Sequence, residues 1–356
     1  MPTVSEIAKH TGVSKSTVSL VLNNKPGAST EMRQRVMEAV GQLRAREEAQ
    51  SMAQAMPNSR TTAGTHPADN GPLSVVVLHP PILRSSQVFS ELLQGIQAGA
   101  HQYQLQLRLA ANEPHLPQDH ITRLYFSDPN LRPNGVLVIG ARFEEPLLDE
   151  ARKLGIPCVL VGRQADDAHV SAVGQNEETI AFEAANYLLD LGHRAIAFLG
   201  GERDYSYTHS RIAGYRRALQ SHGIDSLERW VALGAGDVAA QKVLDDSPEI
   251  TAAIFVNDAY AMEGLPLFQA AGRSIPGDLS VISFDDTEEA RTFDPPLTSV
   301  SYPRYQEGFW SVKVLVERLR QPLMQSCQVV FRASLIERES CVPPRKRDGQ
   351  DVEQRR

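Results

Sequence analysis

Residues 4–23 read Val-Ser-Glu-Ile-Ala-Lys-His-Thr-Gly-Val-Ser-Lys-Ser-Thr-Val-Ser-Leu-Val-Leu-Asn. Val4, Ile7 and Ala8 recur at helical spacing, so the pattern predicts a first helix over 3–11 with one apolar face. Gly12 supplies a turn residue. Ser14 is placed to cap a second helix, with the amides of Ser16 and Thr17 in reach of its hydroxyl. In that helix Val18, Val21 and Leu22 fall at i, i+3 and i+4 and point inward. Lys15, Ser16, Thr17, Ser19 and Leu20 are left on or beside the open face. Short side chains there let a helix enter a DNA major groove, which is about 12 Å wide. A third helix is expected from near Thr30, with Met32, Val36, Ala39, Val40 and Leu43 inward.

Charge supports the same reading. Residues 1–46 hold seven Lys and Arg against three Glu, a net of +4, so the other 310 residues of a chain of net −7 hold −11. A basic head on an acidic body suits a protein that touches phosphates with the head alone.

The 20-residue stretch closely resembles the helix-turn-helix of the lactose-repressor/galactose-repressor family (LacI/GalR) of bacterial transcriptional regulators. The resemblance implies that Lys15, Ser16 and Leu20 face base edges. It also implies that Thr3, Ser14, Thr17, Ser19, Asn23, Ser29 and Arg33 mainly meet phosphates. The family often has arginine where this chain has Leu20, so an apolar contact, such as one to a thymine methyl, would replace a guanine contact.

Residues 47–72 are rich in Ala, Gln, Ser, Thr, Asn and Pro and read as a linker or hinge. Here the chain departs from the family, whose short hinge helix wedges a leucine into the minor groove. No leucine occurs between Leu43 and Leu73, Pro57-Asn58 arrives about ten residues late, and Glu47 and Glu48 would oppose phosphates. Met52 or Met56 is the candidate wedge, and a flexible tether or a longer third helix is the alternative.

Residues 73–340 alternate short apolar runs with amphipathic stretches. The runs 74–78, 135–139, 158–161, 195–199, 252–256 and 280–284 read as strands buried on both faces. The stretches 91–103, 146–154, 178–191, 211–222 and 259–271 read as helices. Such alternation predicts parallel βαβ units, and about 270 residues divide naturally into two similar halves with a cleft between them. The expected architecture is therefore an all-α helix-turn-helix head on an α/β body of two doubly wound parallel-sheet subdomains. Residues 341–356 are expected to form a disordered tail.

The resemblance extends through Leu191-Gly-His-Arg-Ala-Ile-Ala-Phe-Leu-Gly-Gly201, Ser210-Arg-Ile-Ala-Gly-Tyr215, Thr251-Ala-Ala-Ile-Phe-Val-Asn-Asp258, Ile275-Pro-Gly-Asp-Leu-Ser-Val-Ile-Ser-Phe-Asp-Asp286 and Pro295-Pro-Leu-Thr-Ser-Val300. It implies a periplasmic-binding-protein-like body, with one subdomain from 73–175 plus 304–340 and another from 176–303. Ligands of open parallel sheets sit beyond the carboxyl ends of strands, which is where Asn257, Asp258, Asp285 and Asp286 fall. The resemblance points to Arg211, Asn257 and Asp285 as primary ligand contacts, with Tyr207, Val238, Tyr302, Arg304 and the loop Leu83–Gln87 as weaker ones. Two positions depart from it. Gln175-Asn176 stands where Asp-Asn is common, and Val238 stands where sugar binders often place a stacking aromatic. A hexose, a furanose, a sugar acid and a non-sugar metabolite such as a nucleobase all stay open, and Arg142, Arg163, Arg211 and Arg304 leave room for an anion.

Enzyme chemistry finds little support. No GxSxG, HExxH, Walker A or GxGxxG occurs, Gly200-Gly201 is more readily a turn than a phosphate loop, and His193 suits a structural role. A sugar-modifying enzyme would also leave the basic head unexplained, and a transport-type binding protein would lack a secretory signal. The three cysteines have no metal spacing and are expected as buried thiols; neither metal nor cofactor is expected. The chain is thus expected to be a cytoplasmic homodimer, and by resemblance a repressor. It would bind a pseudo-palindromic operator under control of a small effector, with no membrane partner.

Overall fold

A computed structural model of the chain describes residues 4–22, 32, 36, 39, 72–79, 87–111, 124–140, 146–165, 169–203 and 205–345. Two compact units divide it, 1–68 and 69–356.

The first unit contains α1 (Val4–Thr11) and α2 (Lys15–Leu22). Met32, Val36 and Ala39 are also helical. Ile7, Val18, Val21 and Val36 form one small core. Gly12 turns the chain between the helices at φ +69°, a backbone conformation that a β-carbon disfavours.

The second unit holds two six-stranded sheets. The first half comprises β1 (Ser74–His79), α3 (Gln87–Tyr103), β2 (Gln106–Ala111), β3 (Gly135–Ile139), α4 (Pro146–Lys153), β4 (Cys158–Val161) and β5 (Ser171–Gln175). The second half comprises α5 (Glu177–Asp190), β6 (Ile196–Leu199), α6 (Ser206–Ser221), β7 (Val231–Ala232), α7 (Gly236–Asp246), β8 (Ala252–Phe255), α8 (Asp258–Ala270), β9 (Ser280–Phe284), α9 (Glu288–Thr292) and β10 (Thr298–Ser301). The chain then returns through α10 (Arg304–Arg320) and β11 (Gln328–Phe331) to the first sheet, and ends with β12 (Ser334–Ile336) on the second.

The strand orders are β11-β5-β4-β3-β1-β2 and β12-β10-β9-β8-β6-β7. All pairings are parallel except β10 with β12. Each half therefore reverses direction once, between β1 and β3 and between β6 and β8, and these are its topological switch points.

Near-continuous apolar strands are explained by two-sided burial. In the first sheet Val75, Val77, Leu137, Ile139, Val159 and Val161 pack on α3 and α10. Val76, Leu78, Val136, Val138 and Leu160 pack with Leu147 and Ala151 of α4 on the other face. Helices α3 and α10 approach backbone to backbone. A β-carbon on Gly95 would lie 2.0 Å from Tyr305 O, and one on Gly308 would lie 2.1 Å from Leu92 O. That contact brings Arg304, at the start of α10, to the cleft.

Three expectations need correction. The helix expected from Arg211 begins at Ser206, so Arg211 sits in its second turn. The stretch 304–340 does not belong wholly to the first half, because Ser334–Ile336 pairs antiparallel with Thr298–Ser301. Residues 341–345, expected in a disordered tail, are instead held to the body. Val342 donates to Ser280 Oγ at 3.0 Å and accepts from it at 2.9 Å, and Arg345 pairs with Asp278 at 2.8 Å. Residues 346–356 lie outside the described residues.

Candidate functional site

The head presents α2 as a capped, open-faced helix. Ser14 Oγ accepts from the Thr17 amide at 3.2 Å and lies 2.8 Å from both Ser16 Oγ and Thr17 Oγ1. Thr11 Oγ1 donates to Ile7 O at 2.7 Å and closes the end of α1. Val18 and Val21 are buried, whereas Lys15 and Ser16 are exposed and Ser19 and Leu20 half-buried. One side of α2 thus holds the core and the other stays available, as the apolar spacing predicts. Thr3, Asn23, Ser29, Arg33 and the candidate wedges Met52 and Met56 lie outside the described residues.

In the body, a cavity of about 120 Å³ opens at the carboxyl ends of both sheets. Ile139-Gly140 and Val161-Gly162-Arg163 line it from one half. Glu177, Ser206, Tyr207, Arg211, Asn257 and Asp285 line it from the other, with Arg304 at its edge and Val88, Phe89 and Leu92 of α3 as an apolar wall. Both topological switch points contribute.

Arg211 is the centre of the polar wall and is buried. Its Nε donates to Glu177 Oε2 at 2.8 Å, its Nη2 to Tyr302 OH at 2.9 Å, and its Nη1 to Val256 O. Its guanidinium stacks 4.3 Å from the Phe284 ring centroid and 5.2 Å from that of Tyr207. Glu177 in turn accepts from Tyr302 OH at 3.1 Å and from Gln175 Nε2 at 2.7 Å. Burial opposes ionisation of Glu177, but the charge and hydrogen bond of Arg211 prevail and hold the carboxyl below its usual range. Arg304 forms a second node, reaching Asp285 Oδ1 at 2.9 Å and Glu307 Oε2 at 3.2 Å. Burial pushes Glu307 upward.

A model of the bacterial regulatory proteins of the lacI family matches residues 3–44, and one of a periplasmic binding protein-like domain matches 185–341. The chain belongs to the LacI family of bacterial regulators. Catabolite control protein A of Priestia megaterium is 27% identical over 330 residues, 91% of this chain and 94% of that protein. The transcriptional repressor CytR of Escherichia coli (strain K12) is 28% identical over 346 residues, 93% of this chain and 96% of that one. A solved complex of the transcriptional regulator CelR with cellobiose superposes with a TM-score of 0.70 at 26% identity, covering 96% of this chain and all of that one.

This LacI-family chain is a DNA-binding transcriptional regulator and not an enzyme. The structure brings Arg211, Asn257, Asp285, Tyr207 and Arg304 around one cavity, and Tyr302 supports it from behind through Arg211 and Glu177. Val238 is elsewhere, 59% exposed on α7 beside an open groove between α7 and Leu267 of α8. Of the loop Leu83–Gln87 only Gln87 is described, and its Oε1 accepts from the Glu288 amide at 2.9 Å. Glu177 and Phe89 line the cavity and were not singled out by the sequence reading.

Several candidate residues turn out to be structural supports. Asn257 caps α8 through Tyr260 N at 3.1 Å while also lining the cavity. Asp286 is held by Arg291 at 2.9 Å and by Arg338. Buried His193 donates from Nε2 to Val342 O at 2.9 Å, and burial lowers its pKa, which keeps the ring neutral and structural. Gly200 and Gly201 have φ +85° and +92°, and Gly201 forms an antiparallel bridge with Gly234, which makes them a turn. The three cysteines are free thiols. Only Cys158 is fully buried, which pushes its pKa up to about 12. Among the described residues no helix is long and apolar enough to cross a membrane, and no metal-ligand cluster occurs.

Asp258 is the clearest case of support. It accepts from Thr287 N at 2.7 Å, Thr287 Oγ1 at 3.0 Å, Ser299 Oγ at 2.9 Å and Ser283 Oγ. It thereby ties α8 to the loop that carries Asp285 at φ +103° and Asp286 at φ +52°. Burial, with Asp285 nearby, pushes its pKa up to about 6. A carboxyl whose pKa rises on folding stabilises the fold below its unfolded value and loses that contribution as pH rises through the folded value. Between about pH 4 and pH 6 the folded chain therefore holds this proton more tightly than the unfolded one. Thermal melts of the wild type and Asp258→Asn should converge or cross over that window and run parallel above pH 7. Curves parallel throughout would contradict the assignment.

Proposed function

We propose that this chain is a cytoplasmic homodimeric repressor whose operator affinity is set by a small polyhydroxylated metabolite, a sugar or sugar derivative, bound between the halves of its body. The observation that carries the reading is the coexistence, in one chain, of a capped helix with one free face and a polar cavity at two switch points. In the head, Lys15, Ser16 and Leu20 are assigned to base edges, and Thr3, Ser14, Thr17, Ser19, Asn23, Ser29 and Arg33 to phosphates. In the body, Arg211, Asn257 and Asp285 are assigned to the effector, with Tyr207 and Arg304 beside them. We place the domain boundaries at 1–46 for the head and 47–72 for the linker. The second subdomain, 176–303, then gains the closing segment from β12 onward.

Guanidinium, amide and carboxylate groups converging on one cavity can bracket neighbouring hydroxyls, each of which donates and accepts. Phe89 and Tyr207 supply an apolar surface for the carbon face of a ring. At about 120 Å³ the cavity is smaller than the roughly 300–1,000 Å³ of a typical ligand pocket, so admitting a sugar requires the halves to open. The structural relative CelR was solved with cellobiose, which agrees in ligand class.

Selection from random duplexes by the full-length chain tests the proposal. It should enrich a pseudo-palindrome with half-sites about one helical turn, roughly 34–36 Å, apart. The cognate metabolite should then change operator affinity about 5–150-fold, measured by fluorescence anisotropy. Failure to enrich any duplex over random competitor, with or without metabolites, would remove the reading.

A further inference from the structure

The cleft contains more buried charge than a neutral ligand needs, and its arrangement is informative. Two arginines at the cavity, Arg211 and Arg304, are buried. Each already faces a carboxylate that lines the same cavity: Glu177 at 2.8 Å from Arg211, and Asp285 at 2.9 Å from Arg304. The position that is commonly Asp in the family is Gln175 here, and the carboxylate appears two residues later, on the first turn of α5. Gln175 itself donates to that carboxylate.

From this arrangement we infer that Glu177 is a specificity-determining residue that neutralises Arg211 and so selects an uncharged effector over its carboxylate- or phosphate-bearing counterpart. The inference rests on the reading that the cleft is the effector site.

An anion brought to Arg211 would stand beside Glu177 and near Asp285 in a site shielded from water. Like charges there repel with little screening, and the approaching anion would also lose its own hydration. The carboxylate therefore acts as a repulsive element against the wrong ligand class. A hydroxyl meets no such penalty. It can donate to either carboxylate and accept from the N–H groups of Arg211 that its three protein bonds do not use. Arg163, on the opposite wall, is half-buried and lies 2.9 Å from Ser206 Oγ. Its Nη1 is committed to that hydroxyl, and the residue as a whole is less buried than Arg211 or Arg304. The lowered pKa of Glu177 agrees, since it keeps the carboxylate ionised through the physiological range.

The test is a thermal-shift titration of the full-length chain with matched pairs: glucose and glucuronate, galactose and galacturonate, cellobiose and cellobionate, adenosine and AMP. The expected result is stabilisation by a neutral member, with its acid at least about tenfold weaker. In Glu177→Gln that ratio should fall below about threefold or invert, because Arg211 then offers an uncompensated charge. A wild-type preference for an acid overturns the inference and leaves the sensing reading intact. A ratio unchanged in Glu177→Gln also overturns it. Stabilisation by no member of either set overturns both readings. The wild-type comparison does not depend on the variant folding, and Glu177→Asp, which keeps the charge, should keep the neutral preference.

Discussion

Replacing Arg211 with alanine is expected to lower the melting temperature of the body by roughly 10 °C and to abolish its response to the effector. Among the described residues the substitution removes the only cation bonded to Glu177, whose side chain is 6% exposed, and leaves Tyr302 OH and Val256 O with one partner fewer. Breaking a buried pair from one side typically costs about 3–5 kcal/mol, because the surviving charge stays desolvated. For a domain of this size each kcal/mol corresponds to about 2–4 °C. The pH dependence has a definite sign. In the wild type the carboxyl of Glu177 is held low, so its contribution is present above its unfolded pKa and disappears as pH falls through the folded one. Without Arg211, burial dominates and the pKa rises, so the deficit of the variant should be larger at pH 8 than at pH 5. Scanning calorimetry at both values would measure it. A variant melting within about 2 °C of the wild type at pH 8 would mean that Arg211 is not committed to Glu177 in solution. In the double variant Arg211→Met, Glu177→Gln both charges are gone, and much of the loss should be recovered.

The sequence reading located the strands that the fold buries on both faces, because apolar side chains on consecutive residues leave few other solutions. Gly135–Ile139, Cys158–Val161 and Ser280–Phe284 form with the expected bounds. It missed the strands that carry polar residues. In β2, Gln106–Ala111, the edge position leaves Leu109 half-exposed and tolerates Arg108. In β5 and β10, buried Ser171 and Ser299 are admitted because each has a partner: Ser171 Oγ accepts from Cys327 N at 3.1 Å, and Ser299 Oγ donates to Asp258. Such pairs are far apart in sequence, so no local period reveals them.

The same limit explains the cleft. Asn257 and Asp285 were legible because they follow strand ends, and Arg211 because the stretch around it resembles the family. Glu177 was not, since an acidic residue in the first turn of a helix is ordinary helix chemistry, and only the meeting of α5 with α6 gives it a second role. Val238 was misplaced for the opposite reason. Resemblance assigned it a role in the cleft, but it is exposed on α7 and is not among the residues that line the cavity.

The head has a small described core, so the other large effect belongs there. Its described core is Ile7, Val18, Val21, Val36 and Ala39, in a unit too small to bury more than a modest apolar area. At about 0.05–0.15 kcal/mol per residue, a head of this length holds only a few kcal/mol of stability. Val18 is fully buried between α1 and α2. Among the described residues that core holds no cation, so a carboxylate in its place costs several kcal/mol. Val18→Asp should therefore unfold the head and reduce operator affinity by more than about 100-fold, equivalent to roughly 3 kcal/mol. The body forms a separate compact unit, so its melting transition and its stabilisation by effector should be unchanged. Lys15→Ala is the contrasting case. Lys15 is exposed, so the head should stay folded and lose only a base or phosphate contact, worth about 1–3 kcal/mol. Anisotropy on the selected operator, paired with melts of the same samples, separates the two. If Val18→Asp binds operator within about threefold of the wild type, α2 is not held by this core when it reads DNA. The assignment of its outer face to the major groove would then fail with it.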